Sequence, residues 1–171
     1  MITLFQIDKS GRDIFEKDYS IALILNKKEI YGINVPQDVK DMITSLYKQG
    51  KLWKLGKNEK TDKMRLRIRL HTTIIILLMQ KAIKDLGYLD DLNVEICNDF
   101  DGHFHEIRDM IYKNISKIVS SFRPEDIIQT RFQKPSMVDT AARNLRERNK
   151  EAKEYNILKL NIEELTNLIR K

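Results

Sequence analysis

The first third of the chain reads as strands, in apolar, β-rich runs bounded by polar turn residues. ITLFQID (2–8) is the first such run, closed by the turn residues Ser10-Gly11-Arg12-Asp13. YSIALIL (19–25) is the second, and the polar turn Asn26-Lys27-Lys28 separates it from EIYGINV (29–35), so 19–35 predicts a hairpin. The pattern then changes. Pro36 stands where a first helical residue is tolerated, and Val39, Met42, Ile43 and Leu46 share one helical face that stops at Gly50.

Residues 48–63 carry lysines at 48, 51, 54, 57, 60 and 63 around Trp53 and predict a basic loop. The following stretch, MRLRIRLHTTIIILLMQKAIKDLG, alternates in its first half like a strand. A cap at Thr61 or Asp62 and a stop at Gly87 favour one long, largely buried helix over about 63–86 instead. LNVEIC (92–97) predicts a fourth strand, and a helix over 104–121 follows with Ile107, Ile111, Ile115, Ile118 and Val119 as its stripe. Pro124 breaks that helix. DIIQTRF (126–132) predicts a fifth strand, Pro135 or Ser136 opens a helix through about 153, and IEELTNLIR (162–170) predicts a short C-terminal helix.

The order β-β-β-α-(α)-β-α-β-α implies an α/β fold with a mixed five-stranded sheet, antiparallel at first and then parallel, with helices on its faces. It resembles the ribonuclease H-like fold, the superfamily of ribonucleases H, retroviral-type integrases and Holliday-junction resolvases. No repeat or boundary divides the chain, so residues 1–171 are expected to form a single domain of that kind.

Composition narrows the picture without deciding it. A charged fraction of 33% against 42% hydrophobic residues describes a globular chain with a heavily charged surface. Lys and Arg outnumber Asp and Glu by 31 to 25, for a net charge of +6, which permits a polyanionic partner without requiring one. The single cysteine, Cys97, excludes an internal disulfide and a cysteine-based zinc ribbon and suits a reducing cytosol. Met1-Ile2-Thr3-Leu4 carries no basic segment of a signal peptide, and the apolar run Ile74–Met79 is too short to span a bilayer, so the expected location is cytoplasmic.

The candidate chemistry lies in the carboxylates. Asp8 ends ITLFQID, Asp99 and Asp101 follow VEIC within NDFDGHFHE, and Asp139 lies in PSMVDTAARNLRER. The resemblance implies one carboxylate on the first strand, one just past the fourth and one in the last core helix. QIDKSGRD is similar to the acidic turn that opens type 2 ribonucleases H, with Lys9 where a glutamate is expected. VDTAARNL resembles the stretch around the last Asp of junction resolvases. By that resemblance Asp8, Asp101 and Asp139 are the catalytic candidates, and the same three with Asp99 are the ligands of Mg²⁺ or Mn²⁺. Two such ions hydrolyse a phosphodiester through oxygen ligands converging from separate elements. Many of these enzymes carry a fourth carboxylate, often a glutamate on the first helix, where this chain offers Asp38 and Asp41, with Asp85 near the end of the long helix. Either the site works with three carboxylates, or His71, His103 or His105 completes it, or it is degenerate.

Each residue also has an ordinary reading. Asp8 and Asp101-Gly102 suit turns, Asp99 or Asp101 suits a helix cap, and negative charge is favourable at the position of Asp139 early in a helix. His103 and His105 lie about 200° apart on a helix and so do not share an ion. Lys51, Trp53, Lys54, Lys57, Arg65, Arg69, Arg143 and Arg146 are candidate nucleic-acid contacts, although lysine runs and sign-alternating helices are usually solvated faces. Cys97 reads as a small buried strand residue. The expected function is metal-dependent cleavage of DNA or RNA. The alternative is a catalytically inactive module of the same fold that binds nucleic acid or protein.

Overall fold

The structure, a computed structural model, describes residues 2–16, 18–52 and 58–170. Three antiparallel strands open the chain: β1 (Ile2–Ser10), β2 (Ser20–Leu25) and β3 (Glu29–Asn34). Helices α1 (Gln37–Lys48) and α2 (Glu59–Leu86) follow, then β4 (Asp91–Cys97), α3 (Phe104–Ile115) and β5 (Ile127–Thr130). Helix α4 (Met137–Glu147), a short β6 (Asn156–Ile157) and α5 (Ile162–Arg170) complete it. The sheet runs β5-β4-β1-β2-β3-β6, with β1 parallel to β4 and β4 parallel to β5. The expected mixed α/β sheet is present, with six strands rather than five.

The extra strand and the shifted boundaries have local causes. Helix α4 stops at Glu147, short of the expected 153, because Arg148 turns left-handed at φ 54° and its N–H closes onto Asn144 and Leu145. The chain then returns beside β3, pairing Tyr31 with Asn156 and Gly32 with Ile157. Helix α3 ends at Ile115, not 121, and Val119 reaches the core from a turn instead. Helix α2 starts four residues earlier than 63, since Asn58, not Thr61 or Asp62, accepts the Thr61 N–H at 3.0 Å and caps it. Residues 59–63 of the expected basic loop are therefore helical, and the part carrying Trp53, Lys54 and Lys57 lies outside the described residues.

The alternation in β1 and β2 decides what each face meets. Phe5, Ile7, Ile21, Leu23 and Leu25 point into the large core with α1, α2, α3 and α5. Ala22 and Ile24 point the other way, onto Val138, Ala141, Ala142 and Leu145 of α4. With both faces covered, β2 is buried throughout, as its unbroken apolar run requires. Helix α2 is buried all round between Leu70 and Met79, which explains its weak amphipathic pattern. It is also the longest helix, yet among the described residues no helix is long and apolar enough to cross a membrane.

Helix α4 sits unusually close to the sheet at Gly32, where an added Cβ would come within 2.3 Å of Leu145 Cδ1 and 3.0 Å of the Ile21 carbonyl. Gly32→Ala should therefore cost about 1–3 kcal/mol, the range for overpacking a filled core. A denaturation midpoint unchanged from the parent would show that α4 is seated more loosely than this.

Candidate metal centre

The strand register builds the site. β1 and β4 pair in parallel through Ile7 and Ile96, so one step further Asp8 stands beside Cys97 at the carboxyl ends of both strands. Asp8 pairs with Ala22 across β2, which places it on the α4 face. Asp99 follows two residues after Cys97. One ligand atom each from Asp8, Cys97 and Asp99 lie within 4.8 Å of one another.

Asp8 is 3% exposed. Its Oδ1 accepts the Lys9 N–H at 2.8 Å, whereas Oδ2 is buried with no hydrogen-bond partner among the described residues. The Cys97 thiol faces it, but S–H is a weak donor and does not satisfy a buried carboxylate oxygen. Leaving such an atom unpaired costs free energy that a neutral residue would avoid. Burial raises the pKa of Asp8, the Lys9 N–H and a weak hydrogen bond from the Cys97 thiol oppose it, and the Asp139 charge adds to it. Burial likewise pushes Asp99 up to about 7, with the Asp8 charge adding to it and Lys9 opposing. The Cys97 thiol is pushed up to about 12 by burial and by Asp99 and Asp8.

Three cationic side chains surround these carboxylates. Lys9 Nζ lies 3.7 Å from Asp99 Oδ1. Lys134, from the loop after β5, lies 3.3 Å from Asp139 Oδ1, and Arg143 donates to Asp139 Oδ2 at 2.8 Å. Asp139 also has its own N–H capped by Ser136 at 3.1 Å. It is buried, close enough to Asp8 to raise its pKa, but outside the 4.8 Å group. The structure thus brings Asp8 and Asp99 together and holds Asp139 beside them on two basic side chains. Asp101 is not brought in: it is exposed on the turn ahead of Gly102, whose φ of 78° sends the chain into α3.

The histidines are placed elsewhere. His71 is 1% exposed, and its Nδ1 is 2.9 Å from Tyr19 Oη. Burial lowers its pKa to about 3, so the ring is neutral. Its edge meets the Phe100 ring at 5.0 Å, which seats the loop carrying Asp99. His103 precedes α3 with Nδ1 3.4 Å from Glu106, and His105 is exposed. Of the expected nucleic-acid contacts, Lys51 is exposed, and Arg143 and Arg146 are partly open on α4. Arg65 lies half-buried on α2. Arg69 is turned to structure, donating to the Ile169 carbonyl at 3.3 Å and so tying α5 to α2.

Cys97, Lys9 and Lys134 were not candidates on sequence grounds. The signal for Cys97 was its equivalence to Asp8 once LFQID and NVEIC are set in parallel register. Nothing in the sequence brings Lys134 near Asp139 except the length of the loop. Comparison of the chain with protein-family models, with curated proteins and with solved structures finds no match in any of the three.

Proposed function

We propose that the chain is a divalent-metal-dependent nuclease of ribonuclease H-like type, with Asp8 and Asp99 holding Mg²⁺ or Mn²⁺ beside Cys97. The observation that carries this is Asp8: its Oδ2 is buried with no hydrogen-bond partner among the described residues, and its carboxylate belongs to a group whose ligand atoms, with those of Cys97 and Asp99, lie within 4.8 Å of one another. A cation supplies what that oxygen lacks. Two of the three ligand residues, Asp8 and Asp99, offer carboxylate oxygens, the donors that suit Mg²⁺ or Mn²⁺. Support for the family comes from β1 lying beside β4 with a carboxylate at each end, and from Asp139 on the helix that covers them.

In the reaction, a water oxygen bonds to phosphorus as the bond to the leaving oxygen breaks. The water gives up a proton, and the leaving oxygen takes one. Charge grows on the phosphoryl oxygens, where an ion held by Asp8 and Asp99 would lower its cost together with fixed cations. Lys134 and Arg143 have exposed side chains beside Asp139, at 68% and 48%, and are the phosphate-facing groups of this reading. Exposed Lys51 and partly exposed Arg146 are further candidates for backbone contacts.

A second reading has an observation of its own. Lys9, Lys134 and Arg143 already stand against Asp99 and Asp139, so most of the carboxylate charge is balanced without an ion. That balance favours a catalytically inactive module that binds nucleic acid or protein. Incubation with single-stranded, duplex, hybrid and junction substrates, in Mn²⁺ or in chelator, separates the two. Cleavage seen only with metal, and binding that weakens steeply as salt rises, is the expected result. Salt-sensitive binding without cleavage on any substrate would select the inactive module.

A further inference from the structure

We propose that Lys9 is the second cation of this site: the carboxylates take one divalent metal ion per chain, and the Lys9 ammonium occupies the place beside Asp99 that a second ion would need. This rests on the metal-binding reading of Asp8 and Asp99 and goes beyond it by fixing the number of ions and the role of the lysine.

Two-metal hydrolases hold their ions about 3.5–4 Å apart. With Asp8 committed to the first ion, Asp99 is the nearest carboxylate able to bridge to a second, because Asp139 is taken by Lys134 and Arg143. Lys9 Nζ already lies 3.7 Å from Asp99 Oδ1.

It is not a surface lysine passing by. Lys9 follows Asp8 on β1, so its side chain leaves on the opposite face of the sheet from Asp8. Its side chain is 19% exposed. The ammonium donates to the Gly11 carbonyl at 2.8 Å and stands 5.8 Å from the centre of the Tyr19 ring, at the edge of cation–π range. Gly11 turns at φ 116°, where a Cβ would lie 2.9 Å from the Asp18 carbonyl, so the acceptor is positioned by a turn other residues cannot make. Tyr19 is fixed in turn by buried His71, and His71 also seats Phe100, the neighbour of Asp99. Lysine and carboxylate lean on the same buried pair.

A fixed positive charge at that distance has opposite effects on two ligands. It repels a metal ion at Asp99 and attracts the phosphoryl oxygens of a substrate. A purely structural lysine would only hold Asp99 in place, and its loss would weaken metal binding. The signs differ, so the metal alone is a sufficient probe.

The experiment is calorimetric titration of the full chain with Mn²⁺, for the parent, Lys9→Met, Lys9→Gln and Asp8→Asn. Lys9→Gln retains a donor for Gly11 and serves if Lys9→Met fails to fold. The expected result is one Mn²⁺ per parent chain, with about tenfold or tighter binding after either Lys9 substitution. Two ions in the parent, or weaker or unchanged affinity without the lysine, would overturn the proposal while leaving the metal site standing. Absence of Mn²⁺ binding in the parent and both Lys9 variants would remove the metal site and the proposal together. Mn²⁺ binding that survives Asp8→Asn unchanged would place the ion elsewhere and overturn both.

Discussion

Asp8→Asn should abolish metal-dependent cleavage and leave the fold intact. The amide has the shape of the carboxylate, and its oxygen can still accept the Lys9 N–H that Oδ1 accepts now. What is lost is the charge on the buried side of the group, where Oδ2 has no partner among the described residues. Metal-ion stabilisation of a developing charge is worth several kcal/mol, and each 1.4 kcal/mol or so is tenfold in rate, so a loss of about 10³-fold or more is expected. Stability should move the other way. In the absence of metal the substitution replaces a desolvated carboxyl by a neutral amide able to donate to Asp99 or Cys97, so the midpoint of unfolding should stay or rise. Cleavage rates and urea midpoints on the same preparations check both halves. A variant that cleaves like the parent would sink the assignment of Asp8, and one that unfolds would show that Asp8 holds the strand ends together instead.

The fold was legible where one pattern ran uninterrupted, and the boundaries failed where a single residue acted against type. β1 to β3 show as β-rich runs between turn residues, and β2 is apolar throughout because both its faces are covered, by the large core on one side and α4 on the other. The end of α4 was hidden because the left-handed position is filled by Arg148, where glycine or asparagine is the usual marker. β6 is two exposed residues, Asn156 and Ile157, too short for any alternation to show. In the site, Asp8 could be read from its place at the end of an apolar strand. Choosing between Asp99 and Asp101 could not, because two residues along a turn reverse the direction of a side chain. The cations were the larger omission: Lys9 was visible only as a departure from the expected glutamate, and its placement depends on Gly11 and Tyr19. Arg143 stands four residues after Asp139 on α4, a spacing that can be read, but the approach of Lys9 to Asp99 across two strands cannot.

The second large effect is the dependence of stability on pH and metal together. Asp99 in the folded chain is pushed up to about 7, chiefly by burial and further by the Asp8 charge, against an ordinary value of 3.8. Between those values the folded state keeps a proton that the unfolded state has released. Stability without metal should therefore fall as pH rises from about 4 to about 7, the reverse of the usual salt-bridged aspartate. Three pH units, a difference that already includes the opposing Lys9 ammonium, bound the effect at about 4 kcal/mol. Mn²⁺ acts in the opposite sense, because it binds the ionised carboxylates and competes with the proton. The stabilisation that Mn²⁺ adds should accordingly grow across the same window. Asp99→Asn removes this titration together with its effect on Asp8 and Cys97, so the difference between the two proteins reports the group and its couplings. Urea midpoints of parent and variant, in chelator and in Mn²⁺ at several values across the window, give the slopes. Equal slopes in chelator would mean that Asp99 ionises as an ordinary surface aspartate. An Mn²⁺ increment of the same size at both ends of the window would mean that the ion does not displace a proton from this group, and that the carboxylates beside Cys97 are not where it binds.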